Sequence, residues 1–77
     1  MSVKIRYFAS MRDRMGKAED TVVLEGGSMT VANLWKKISG QSLPSNTLIA
    51  VNMEYTDGSA VVKNGDEVAF FPPVTGG

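Results

Sequence analysis

One stretch of this 77-residue chain carries the repeat of a long amphipathic helix, and that limits the folds open to it. Val31, Leu34, Trp35 and Ile38 fall at i, i+3, i+4 and i+7. They form a single apolar stripe with Trp35 at its edge, opened by Thr30 as N-cap and closed by Lys36, Lys37 and Gly40. Elsewhere the apolar residues recur at the spacing of strands. One helix covers one face of a sheet, so the simplest architecture is an α+β layer pair whose second sheet face stays open.

The strand signals are distributed around that helix. Val3-Lys4-Ile5-Arg6-Tyr7-Phe8 alternates apolar with charged residues, as a half-buried strand does, and puts Val3, Ile5 and Tyr7 on one face. Ser10 then stands as the cap of a short helical segment, Met11 to Met15, with Asp13 three residues on and Gly16 as its stop. Thr21 to Glu25 reads as a second strand and Gly26-Gly27-Ser28 as a loop. After the helix and the loop at Leu43 to Asn46, Leu48 to Met53 is a third strand. Asp57-Gly58 is a turn, Ala60 to Val62 a short strand and Asn64-Gly65 another turn. Glu67 to Phe71 is the last strand, which Pro72 ends because it has no amide to donate.

If Val3, Ile5 and Tyr7 pack under the helix with Val68 and Phe70, the period of two places Lys4, Arg6, Phe8, Glu67, Ala69 and Phe71 on the open face. Phe8 and Phe71 each end their strand. Were those strands parallel neighbours, the two rings would form one apolar patch. Two roles fit that patch: docking a partner, or stacking that stabilises the sheet. Arg12 and Arg14 belong to a solvated face in the same region.

Length and composition restrict the chemistry. A single domain spanning 1–77 buries a small core, too small to enclose a ligand pocket of roughly 300–1,000 Å³ on all sides, so a partner is expected to supply the cavity. Eight basic residues balance eight acidic ones, which removes the basic field that nucleic acid requires. With no Cys and no His, thiol catalysis, Cys/His zinc sites and the usual neutral-pH base are absent. The carboxylates show no spacing of a metal cage. The N-terminal residues alternate charge where a signal peptide would be apolar, and no stretch approaches about 18 apolar residues, so a cytoplasmic chain with no membrane contact is expected.

The most reactive group then left is the terminal carboxylate. Pro72-Pro73-Val74-Thr75-Gly76-Gly77 forms a slim tail, flexible at its glycines. Its six residues reach about 20 Å at 3.3–3.6 Å per residue. Pro72 and Pro73 favour an extended base, while Gly76 and Gly77 have no side chain to obstruct a narrow partner tunnel. A carboxylate reacts with nucleophiles once a nucleotide has activated it as an acyl-adenylate. A sulfur nucleophile then leaves a thiocarboxylate, and an amine gives an amide link. These residues leave the acceptor open.

The run Gly65-Asp66-Glu67-Val68-Ala69-Phe70-Phe71-Pro72-Pro73-Val74-Thr75-Gly76-Gly77 resembles the C-terminal signature of the MoaD-like sulfur carriers, the small subunits of molybdopterin synthase in the MoaD/ThiS family. Weaker likenesses extend over nearly the whole chain, at Val3 to Ala9, Met11-Arg12-Asp13, Met29 to Leu34 and Ala50-Val51-Asn52. The resemblance implies a ubiquitin-like β-grasp, a mixed sheet of four to five strands with one main helix on one face and its first and last strands parallel. It also implies a reaction cycle. A ubiquitin-activating-type adenylyltransferase uses ATP to adenylate Gly77, and a sulfurtransferase system converts the adenylate to a thiocarboxylate. The tail enters the large catalytic subunit, in a heterotetramer with two copies of each subunit, and supplies sulfur for the dithiolene of molybdopterin in molybdenum cofactor biosynthesis.

Such a carrier is the sulfur-donating, non-catalytic subunit of a transferase complex and binds no cofactor or metal itself. Carried over by position, Gly77 bears the adenylate and then the sulfur, and Gly76, Thr75, Val74, Pro73 and Pro72 form the bound tail. Phe8 and Phe71 lie at the partner interface. Arg6 and Arg14 depart from the apolar residues expected there, and Asn33 replaces an often acidic residue. Two relatives of this fold remain as alternatives: a thiazole-synthesis sulfur carrier, against which the Phe-Phe-Pro-Pro-Val context argues, and a ubiquitin-like protein modifier.

Overall fold

The computed structural model describes residues 2–44 and 46–72. Nine elements follow in order: β1 (Val3–Tyr7), α1 (Ser10–Met15), β2 (Glu19–Val22), β3 (Ser28–Thr30), α2 (Val31–Ser39), β4 (Leu48–Val51), β5 (Glu54–Thr56), β6 (Val61–Lys63) and β7 (Glu67–Phe71). Five strands form a mixed sheet in the order β2-β1-β7-β4-β5, and β3 pairs with β6 in a separate two-stranded sheet. β1 and β7 are parallel neighbours at the centre, with Tyr7 opposite Phe70. The other three pairings of the main sheet are antiparallel.

The long helix forms where its pattern predicts. Thr30 has extended backbone and its Oγ1 accepts the Asn33 N–H at 3.2 Å, and Gly40 closes the helix at φ 74°. Val31 and Leu34 are fully buried. Trp35 does not sit at the edge of the stripe: it is buried against Phe70, ring centroids 4.9 Å apart, because Phe70 projects from the central strand directly beneath it. Val3, Ile5, Tyr7, Ile49 and Val68 complete the inner face, joined by Met11, Leu24 and Val62.

Several boundaries move for reasons of pairing. β2 begins at Glu19 and stops at Val22 because its partner begins at Val3, which lies opposite Val22. Leu24 turns into the core instead, where the Asn64 side chain takes both its backbone groups: Leu24 N–H donates to Asn64 Oδ1 at 2.9 Å, and Asn64 Nδ2 donates to Leu24 C=O at 3.0 Å. Ser28 is not loop but the first residue of β3, paired with Lys63, so the short strand runs over Val61–Lys63. The third strand ends at Val51, and a reverse turn at Asn52-Met53 leads into β5, a strand whose polar sequence conceals it.

Ser10 is the first residue of α1 rather than its cap. Phe8 N–H is tied to Phe70 C=O at 3.1 Å, so the chain must reverse in one residue. Ala9 does this at φ 51°, ψ −126°, with no side-chain cap, and Met11 N–H closes the turn on Phe8 C=O at 3.0 Å. Gly16 ends α1 at φ 73°, as expected.

Candidate functional site

The open sheet face is built by register alone. Residues paired across strands share a face, so Tyr55, Ala50, Ala69, Arg6 and Glu19 lie in one row across β5, β4, β7, β1 and β2. Leu48 and Phe71 begin a second row, which Phe8 continues just past the end of β1. The Phe8 and Phe71 rings stack with centroids 4.6 Å apart and planes 8° from parallel, and Tyr55 lies 6.1 Å from Phe71 at a tilt. The patch expected from the two strand ends therefore exists, and it is larger than those two rings.

The small side chains of Ala50 and Ala69 make this face concave. With Phe8, Phe71, Tyr55, Met53, Arg6 and Glu67 as walls they bound a depression of about 280 Å³. Phe8 is 37% exposed, Tyr55 76% and Met53 91%, a concentration of accessible apolar surface of the kind that marks contact sites. Arg6 stands beside it: its guanidinium is 5.8 Å from the centre of the Phe8 ring and 3.8 Å from the Glu67 carboxylate. Arg12 and Arg14 stay exposed on α1 and do not line the depression.

A wider groove of about 650 Å³ opens between β5 and β6, with Glu54, Lys63 and Asp66 along it. It is larger, but its lining mixes aliphatic residues, Val51, Val61 and Val62 among them, with scattered polar ones and brings no reactive set together. Asp66 is committed to structure there. Its carboxylate accepts from Lys63 N–H at 3.0 Å and from Asn52 Nδ2 at 3.1 Å, and these bonds hold its pKa below the usual carboxylate value. Tyr7 lies on the opposite, inner face. Burial first, and the Asp20 carboxylate second, push its phenol up to about 12, so it is protonated at neutral pH and no nucleophile. Among the described residues no group of three or more His, Cys, Asp or Glu is placed to hold a metal, and no helix is long and apolar enough to cross a membrane.

Of the residues singled out from the sequence, Phe8 and Phe71 are brought together, and Pro72 follows β7 directly, half-buried at the edge of this face. Pro73, Val74, Thr75, Gly76 and Gly77 lie outside the described residues. Sequence reasoning placed Ala69 on this face with Phe8 and Phe71 but missed Tyr55, Met53 and Ala50 as members of it. Ala69 carried a signal in the alternation of the last strand; Tyr55 carried none, because its strand was not recognised.

The pattern that defines the ThiS family matches residues 5–77. A molybdopterin synthase sulfur carrier subunit from Chlamydomonas reinhardtii is 35% identical over 83 aligned positions that cover all of both chains. A solved structure described as a putative molybdopterin converting factor, subunit 1, from Pyrococcus furiosus superposes with a TM-score of 0.77 at 30% identity, covering 96% of this chain and 99% of that one. SAMP1 from Haloferax volcanii superposes with a TM-score of 0.79 over the whole of both chains at 23% identity, a likeness of fold.

Proposed function

The chain belongs to the ThiS family, and from that premise we propose that it is the sulfur-carrier subunit of a molybdopterin synthase. In this role Gly77 is adenylated at its carboxylate by an ATP-using adenylyltransferase, and a sulfurtransferase system replaces the adenylate with sulfur. The resulting thiocarboxylate enters the large subunit and gives its sulfur to the dithiolene of molybdopterin. Gly76 and the residues back to Pro72 serve as the slim arm that the large subunit encloses.

The observation that carries the proposal is the stacked Phe8–Phe71 pair at the C-terminal ends of parallel β1 and β7, beside the point where the chain passes into Pro72. A carrier must dock before its tail can be threaded, and this apolar face stands at the base of the tail. The full-length similarity to molybdopterin synthase sulfur carrier subunits supports the same reading. The large subunit supplies the enclosed cavity and the catalytic side chains, which this chain's open face does not offer.

Intact mass spectrometry tests it. After incubation with the adenylyltransferase, ATP and a sulfur source, one oxygen of the C-terminal carboxylate should be replaced by sulfur. An unchanged mass in the presence of active enzyme refutes the carrier role. A ladder of heavier covalent adducts in cell extracts, with no thiocarboxylate, would identify a protein modifier instead.

A further inference from the structure

The turn joining β4 to β5 holds two consecutive non-glycine residues at positive φ, Asn52 at 51° and Met53 at 71°. Val51 pairs with Glu54 across it, so this is a two-residue hairpin loop with the signs of a type I′ turn. Its second central position strongly favours Gly, because a Cβ crowds the carbonyl in the left-handed region. Asn52 suits the first position, and the structure fixes it there. Its N–H donates to Glu67 C=O at 2.8 Å, its Oδ1 accepts Glu67 N–H at 3.0 Å, and its Nδ2 donates to Asp66. That clasp onto the start of β7 over-determines the turn and leaves Met53 no other conformation.

Nothing in the fold rewards a methionine at this tip. Its side chain is 91% exposed, the most exposed of the large hydrophobic residues described, and it is absent from the core. A disfavoured backbone and an unburied apolar side chain therefore coincide at one residue, and that residue lines the same depression as Phe8 and Phe71. Backbone strain that persists without a folding benefit points to a role outside the fold.

We propose that Met53 is an anchor for the large subunit, held out by the Asn52 clasp so that its thioether and the Phe8, Phe71 and Tyr55 rings together grip one apolar side chain of that partner over Ala50 and Ala69. The inference rests on the sulfur-carrier reading and its docking face. Methionine suits the position: its unbranched, polarisable side chain adapts to a partner surface and contacts aromatic rings favourably. The clasp pre-orders the turn, so little conformational freedom at this end is lost on binding. Met53 thereby adds to the face a specificity element at the rim opposite the tail.

The test pairs stability with affinity, measured on the whole carrier by thermal unfolding and by calorimetric titration with the large subunit. Met53→Gly removes the side chain and the strain together. Its dissociation constant should rise by about tenfold or more, as for a truncated anchor, while the unfolding midpoint of the isolated carrier rises. Met53→Gln keeps the length and the strained backbone but not the apolar character, so affinity should fall with the midpoint unmoved. Wild-type affinity in either variant overturns the anchor, since a loss confined to Met53→Gly would come from a loosened turn. A lower midpoint for Met53→Gly overturns the strain argument. Phe71→Asp separates the levels: if it binds as wild type, the docking face itself is wrong; if it alone binds weakly, only the role of Met53 fails.

Discussion

The Phe8–Phe71 stack admits two roles, and a double-mutant cycle on both stability and binding distinguishes them. The variants are Phe8→Ala, Phe71→Ala and the pair together. Full burial of a Phe side chain contributes about 1.5–3 kcal/mol, and with both rings partly open to solvent each single replacement should remove roughly 1–2 kcal/mol. Face-to-face contact at 4.6 Å adds a shared term of about 0.5–1.5 kcal/mol beyond area, which each single variant loses but the double variant loses only once. The double variant should therefore be less destabilised than the sum of the singles by that amount. For a domain of this size each kcal/mol lowers the unfolding midpoint by about 4–8 °C.

Urea unfolding followed by Trp35 fluorescence is the assay of choice, since Trp35 is the sole tryptophan and reports the core on the opposite side of the sheet. A coupling below about 0.3 kcal/mol, the scatter of independent sites, would refute the stack. The same variants are then titrated against the large subunit. If the rings dock the partner, each single replacement should weaken binding by at least about fivefold at a temperature where the carrier remains folded. Full affinity combined with a measurable coupling in stability would leave the rings a structural pair and refute the docking argument.

Two further outcomes follow from the backbone and the carboxylates. Ala9 occupies φ 51°, ψ −126°, the first central position of a type II′ turn, so Ala9→Gly should stabilise the fold by up to about 1 kcal/mol, and an unfolding midpoint that fails to rise would show that the turn is unstrained. Asp66, Asp57 and Asp20 all have lowered pKa values, from the Lys63 N–H and Asn52, from Ser59, and from Lys17 respectively. Groups lowered in the folded state stabilise it above their unfolded pKa of about 3.9, and that stability is lost as pH falls through the folded values, so unfolding should become easier below about pH 4. In the same titration by circular dichroism Asp66→Asn should flatten this acid dependence, and an unchanged curve would remove Asp66 from it.

The helix and the last strand were readable because each depends on local pattern, whereas the parallel pairing of β1 with β7 came only from the family resemblance. Thr30 to Gly40 carries cap, stripe and stop within eleven positions, and Glu67 to Phe71 is bounded by a turn and a proline. β3 and β5 were not readable. Ser28-Met29-Thr30 is a strand only because Val61 to Lys63 lies beside it, and Glu54-Tyr55-Thr56 only because Asn52 folds the chain back onto β4. Short strands take their hydrogen bonds from neighbours that no local window contains. The site shows the same division. Phe8 and Phe71 announced themselves at strand ends, whereas Tyr55 enters the face through a register with Ala50 that follows from a hairpin hidden in polar residues.

The backbone of the open face is held by the side of the sheet that faces away from it. β7 sends Val68 and Phe70 inward, where both are fully buried, and Phe70 is fixed between Tyr7 and Trp35. Ala69 and Phe71 alternate with them on the open face, so their backbone cannot shift without disturbing the core. β1 and β4 are tied to β7 on either side by pairs that place Arg6 and Ala50 level with Ala69. A partner docking on a face built this way would meet a backbone already in place. Among the described residues, freedom to adapt on this face is then confined to side chains at the rim, Met53 and Tyr55 foremost. A fixed backbone on this face is what the proposed carrier role requires if one surface is to meet an activating enzyme and a synthase in turn.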